Sequence, residues 1–144
     1  MTTRSSNVAR KFLQGSEVYL DLPAVASDIV YEGSAVGESS TNGTFRPLVG
    51  GDNFAGFAVR QVDNSSGAAN DKKIRVLAQG FAQLSVTGVD NINDEGATVY
   101  ASDDDTFTLT NTTANSAIGK VVSVDDASGG LATVFFQAVS LRSI

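Results

Sequence analysis

The chain contains no cysteine and no histidine. The first absence excludes disulfides and thiolate metal sites. The second removes the commonest general base and the commonest nitrogen ligand for transition metals, so histidine-based triads and zinc sites are excluded together. There is no tryptophan, one methionine and only two prolines. Lys plus Arg total 10 against 16 Asp plus Glu, a net charge of −6 that opposes nucleic-acid binding as a whole-molecule property. No apolar run approaches the ~20 residues that a membrane-spanning helix needs. The opening MTTRSSNVARKFLQG lacks the continuous apolar stretch of a secretory signal, so the expectation is a soluble protein, used where it is made.

What is plentiful is Val, Thr, Ser, Gly and Asn, which favour strands and tight turns over helices. At 144 residues the chain fits one domain with a substantial core. Glu17–Leu22 alternates, with Val18, Leu20 and Leu22 on one side, and Pro23 ends it because proline cannot donate to a ladder. Ile29–Tyr31, Ser34–Gly37 and Thr44–Phe45 read as short strands. Asn42-Gly43 is a hairpin signal, since both residues tolerate the positive φ of a type I′ turn. Gly56–Val62, Ile74–Ala78, Phe81–Val86, Val99–Tyr100, Thr106–Thr110, Ile118–Val124 and Leu131–Val139 follow, separated by Asp, Asn, Ser and Gly. Only Leu22–Ser27 offers a possible helical turn. The fold class expected is all-β, a compact β-barrel or β-tulip-like domain.

Two further features organise this reading. Residues 1–14 form an extended basic N-terminal arm, with Arg4, Arg10 and Lys11 preceding the first acid, Glu17; residues 15–144 form the β domain and carry seven bases against sixteen acids. Val8, Phe12 and Leu13 are the arm's apolar anchors, and left exposed they would be unfavourable. Arg4, Val8, Arg10, Lys11, Phe12 and Leu13 are therefore the candidate partner-binding residues. Second, a shift of 63 residues superposes approximately 29–76 on 92–139. Ile29, Glu32, Gly33, Val36, Ser39, Gly56, Val59, Asp63, Ser65 and Gly67 meet identical residues, as do Ala69 and Val76. Two copies do not make a solenoid, and the expectation is two related halves of one barrel or sandwich.

Candidate chemistry is sparse. Asp103-Asp104-Asp105 and the acidic run Asp90–Glu95 offer carboxylates to a hard cation, but neither has the spacing of a calcium loop with its distal glutamate. They read as turns, as does Asp125-Asp126 before Ser128-Gly129-Gly130. Lys72, Lys73 and Arg75 decorate an exposed strand face. The glycine pairs at 50–51 and 129–130 lack the helix and Lys-Ser/Thr of a phosphate loop. Thr110–Thr113 could rim a sugar site, though aromatic platforms are scarce. No catalytic constellation is present, so no enzyme, no cofactor and no metal are expected.

The second half carries a resemblance. Gly96, Val99 and Tyr100, the acidic turn Asp103–Asp105, Thr106–Thr108 and then Ile118–Val122 before a last strand resemble the small capsid cement, or head decoration, proteins of tailed bacteriophages. Gly15–Val36 looks like that family's opening. The resemblance implies a compact β fold and homotrimers at three-fold and quasi-three-fold positions between capsomers. It also implies a structural virion protein on the outer capsid surface that clamps an expanded shell against internal DNA pressure. The partners implied are the major capsid protein and further copies of the chain, with no nucleic acid and no membrane. The basic arm is longer than in shorter members of that family, and it would meet the acidic surface of the capsid protein. The rival readings are a receptor- or glycan-binding β module of a tail or spike, and a hydrolase using carboxylates alone.

Overall fold

A computed structural model describes residues 3–39 and 43–142, with the side chains of residues 13–16 outside the description. Eleven strands are described: β1 (Phe12–Pro23), β2 (Asp28–Val30), β3 (Ala35–Glu38), β4 (Phe45–Pro47), β5 (Asn53–Ala58), β6 (Val62–Asn64), β7 (Lys73–Thr87), β8 (Thr98–Ala101), β9 (Phe107–Thr108), β10 (Ser116–Asp126) and β11 (Leu131–Gln137). Two single 3₁₀ turns occur at Ile92–Asp94 and Val139–Leu141, and no α-helix is described. The protein is all-β and forms a closed barrel. Both prolines sit at strand ends, Pro23 closing β1 and Pro47 closing β4, where a missing N–H is harmless.

The architecture is organised around β7. Along one edge it pairs with β1 and then, in parallel, with β9; along the other it pairs with β5 and then β11. Two rings result. One runs β7–β11–β10–β8–β9 and back to β7. The other runs β7–β5–β3–β4 and returns to the end of β1 through the parallel bridge Ala24–Phe45. Ile74–Ala78 and Phe81–Val86, two runs in the sequence, are thus one fifteen-residue strand. Gly80 lies within it and faces Phe136 across the β11 ladder, so it is a point of close packing rather than a break.

The same backbone plan is used twice. Ala35–Phe57, Val36–Gly56, Gly37–Phe54 and Glu38–Asn53 are the β3–β5 partners. Thr98–Lys120, Val99–Gly119, Tyr100–Ala117 and Ala101–Ser116 are the β8–β10 partners, each displaced by 63 and interrupted by the same bulge. Gly33 N–H donates to Ala58 O, and Gly96 N–H to Val121 O; both glycines hold positive φ, +85° and +88°. Gly56 and Gly119 each face a neighbouring strand so closely that a Cβ would lie 2.4 Å from Leu77 O or 1.9 Å from Phe135 O. The parallel bridge Ala24–Phe45 corresponds to Thr87–Thr108. Asp63 accepts from Ser65 N and Oγ as Asp126 accepts from Ser128 N and Oγ.

The displacement changes beyond that turn. Tyr19–Leu77 and Leu22–Ile74 on β1–β7 become Ala82–Val134 and Ser85–Leu131 on β7–β11, displacements of 63 for the first strand but 57 for the second. The loop before β7 is therefore six residues longer than its counterpart before β11. Ala69 and Ala132, and Val76 and Val139, matched in the sequence, occupy different places: a loop against a strand, and a strand against a 3₁₀ turn.

Two apolar cores follow from the two rings. The larger gathers Leu48, Phe54, Phe57, Leu84, Phe107, Ile118, Val134 and Phe136, with Phe12 packed against it. Phe57 and Phe136 rings meet edge-on at 4.9 Å, within the range where aromatic pairs add to area burial. The smaller core holds Val30, Val36, Ile74, Val76 and Ala138. Leu22 and Pro23 end β1, Ala24 bridges to Phe45 and Ala26–Ser27 form a turn, so the expected helical turn is not formed; Asn42 of the expected hairpin lies outside the described residues.

Candidate functional site

The N-terminal segment lies along the barrel as a strap. Val8 N–H donates to Glu32 O at 3.0 Å, and Glu32 N–H donates to Asn7 Oδ1 at 3.0 Å. Gln83 N–H donates to Lys11 O, after which the chain enters β1. Arg10 is the central fastening. Its guanidinium lies 5.6 Å from the Phe57 ring centroid and 5.3 Å from that of Phe107. It also donates to Gly33 O and to Asp105 Oδ1, the latter at 2.6 Å. A guanidinium is suited to this position because it is planar, weakly hydrated and can stack while donating. Burial draws its pKa below the usual arginine value, and Asp105 opposes that shift.

The acidic turn Asp103–Asp105 is the strap's receptor. Asp105 accepts a second ion pair, from Arg4 Nη1 at 2.7 Å. Asp104 is buried, at 1% exposure, and accepts from Ser34 Oγ and from Thr3 N and Oγ1. Asp103 caps the turn by accepting from Asp105 N–H at 2.9 Å. The turn's backbone also serves the barrel, since Ala35 N–H donates to Asp104 O. Three adjacent carboxylates are therefore used for three different attachments, and among the described residues no cluster of carboxylates is arranged to hold a metal ion.

The expected partner-binding residues divide accordingly. Arg4 and Arg10 are turned to Asp105. Phe12 packs between Phe57 and Phe136, at 6.2 and 6.3 Å. Val8 lies against Gly33. Lys11 is exposed. Leu13 pairs through its backbone with Phe81, and its side chain lies outside the described residues. Of the other charges singled out in the sequence, Lys72 and Lys73 are exposed, and Arg75 pairs with Asp21 at 3.0 Å while lying over Tyr19.

A second feature had no clear signal in the sequence. Phe54 to Ala58 of β5 are all buried, because one face looks into the smaller core and the other against the second ring. Their counterparts on β10 alternate: Ile118 and Val121 are buried, Ala117 and Gly119 partly covered, Lys120 and Val122 exposed. The outer face of β10 and β11 is thus open. It forms an apolar groove of about 650 Å³ floored by Phe81, Phe135, Ala117 and Val122, with Lys120 and Arg142 at its rim. Phe81 and Phe135 are cross-strand partners there, their rings 5.2 Å apart and tilted by 54°. Arg142 is held in place by donating to Ala117 O at 2.7 Å and to Gln137 O, and burial lowers its pKa.

No family model and no curated protein matches the chain.

Proposed function

We propose that this chain is a non-enzymatic structural virion protein. In this reading it binds the outside of an expanded bacteriophage capsid and stabilises the shell against internal DNA pressure. It acts as homotrimers at the three-fold and quasi-three-fold positions between capsomers. The observation that carries the reading is the unequal covering of two like units. The outer face of β5 is covered by the rest of the chain, while that of β10 is left apolar and open. Large exposed apolar faces on a folded domain mark surfaces completed by another protein. The segment that resembles the cement proteins, Gly96–Val122, builds this open unit, and its motif residues stand at strand and turn positions.

In the same reading the strap faces the major capsid protein. Arg4, Arg10, Val8 and Phe12 hold it to the barrel, leaving Lys11 and the exposed Ser5–Asn7 side to meet an acidic surface. Many copies each making a modest contact supply the holding strength through avidity. Co-sedimentation of the purified protein with undecorated expanded shells of the virus that encodes it tests this. The expected result is saturable binding that Lys11→Glu weakens. Protein that stays in the supernatant, with saccharides bound instead, would replace this reading with the glycan-binding one.

A further inference from the structure

The groove on β10 and β11 carries an unusual distribution of charge. After Arg75 the chain contains only two basic residues, Lys120 and Arg142, against eight acids. Both bases line this one groove. An apolar cleft lined by all the positive charge that follows Arg75 favours an occupant that is apolar at its tip and anionic around it. The volume is on the scale of clefts that take a ligand of several residues.

The chain itself presents such an object. The turn Asp90-Asn91-Ile92-Asn93-Asp94-Glu95 carries three carboxylates and no base. At its tip Ile92 is 76% exposed, the most exposed large apolar side chain described. The turn is rigid for its size. Asn91 Oδ1 accepts from Asn93 N–H, while Asp94 reaches back to accept from the backbone N–H of Asp90 and Asn91 in a capping box. A preformed turn loses little entropy when it docks. Its counterpart in the first half, near Ile29, is the strand β2 paired with β6, so this projection belongs to the second half alone.

We infer that copies of the chain associate by seating the Ile92 turn of one copy in the β10–β11 groove of another, with Lys120 and Arg142 facing Asp90, Asp94 and Glu95. Knob and groove are different surfaces, so the contact is exchanged reciprocally in a pair or repeats from copy to copy, closing into a ring if its rotation closes and running on as a filament if it does not. A turn in a groove buries less than a standard interface, which places the association in the micromolar range, roughly, and makes it sensitive to salt. The inference rests on the self-association part of the proposed function and involves no capsid, so its failure leaves capsid binding to its own test.

Because the chain has no cysteine, the contact can be trapped cleanly. Ile92→Cys and Val122→Cys proteins, prepared separately and mixed under mild oxidation, are expected to form the mixed disulfide dimer in preference to either homodimer. In analytical ultracentrifugation the parent protein is expected to self-associate, and Ile92→Asp and Lys120→Glu to weaken association at least about tenfold. Combining Lys120→Glu with Glu95→Lys is expected to restore it. These positions are exposed, so folding is not in question, and a circular dichroism melt verifies this. A monomeric parent protein at about 500 µM, well above a micromolar dissociation constant, would overturn the inference. So would an oligomer indifferent to Ile92→Asp, or a Lys120→Glu protein that keeps its oligomeric state and loses only capsid binding.

Discussion

Arg10→Ala is the substitution through which the strap can be measured. The guanidinium contributes one charge-assisted hydrogen bond to Asp105, of the kind worth about 1.5–3 kcal/mol. It also stacks on Phe57 and Phe107, at about 0.5–2 kcal/mol for such contacts. Its truncation leaves Gly33 O without that donor. Against these stands the cost of burying the charge, which is the leading influence on the Arg10 pKa. Asp105 also keeps Arg4. The contributions are not additive, and a net loss of about 2–4 kcal/mol is expected. For a domain of this size that lowers Tm by roughly 5–15 °C. Arg10→Met, which keeps apolar contact with the rings and removes the buried charge, should lose about half as much. The assay is thermal melting together with hydrogen exchange at Val8, whose N–H is bonded to Glu32 O. Val8 protection should collapse in Arg10→Ala while protection at Gly96 and Val121 persists. A Tm within about 2 °C of the parent, with Val8 still protected, would refute the idea that Arg10 fastens the strap.

Other expectations follow from the same geometry. Gly119→Ala places a methyl group 1.9 Å from Phe135 O, where only backbone movement can relieve it. It should cost about 3 kcal/mol or more in urea unfolding, whereas Gly80→Ala meets side-chain atoms alone, Leu77 at 3.2 Å and the Phe136 ring at 3.6 Å, and should cost much less. Equal losses for the two would contradict that account. Phe57→Ala, at a fully buried ring, should lose about 3–5 kcal/mol, while substitution of its exposed counterpart Lys120 by alanine should leave stability within about 0.5 kcal/mol. Acid sensitivity has a definite sign. Hydrogen bonds from Ser65 and Ser128 hold the pKa values of Asp63 and Asp126 below the ordinary range. Burial, the largest influence on Asp125, would raise its pKa, but donors on Gln83, Thr133 and Ser123 together lower it. A depressed folded-state pKa means that the unfolded chain binds more protons. Stability should therefore be level above about pH 5 and fall as pH drops through about 4 and below. A rise in stability on acidification from pH 5 to 3 would contradict these assignments.

The all-β class was legible because alternation and turn chemistry are local properties. The duplicated plan was legible because Gly33 and Gly96 need positive φ, while Gly56 and Gly119 have no room for a Cβ. Such positions keep their residue type when surface positions do not. After Gly67 the gapless match parts from the structural one, since a six-residue difference in loop length is invisible to a comparison without gaps. Ala69 and Val76 then matched residues of unrelated structural role. In the sequence β7 reads as two strands because Gln79-Gly80 resembles a break. Only the strands stacked on both its edges explain why a glycine belongs there. The fastening of Arg10 to Asp105 spans 95 residues and leaves no local signature. From the sequence the acidic run reads only as a turn, although Asp104 is buried beneath the strap. The open groove was hidden for a related reason. β5 and β10 share their glycine and their bulge, and Phe54 and Phe57 against Ala117 and Lys120 are the local sign of a difference that depends on what lies over their outer faces.

The central claim is that this scaffold works by being seated on a capsid. Cryo-electron microscopy of expanded, undecorated shells incubated with excess purified protein tests it most directly. The account predicts added density confined to the outer surface at the three-fold and quasi-three-fold positions, in groups of three β domains. Shells that show no added density, or density only at a tail or spike, would contradict it.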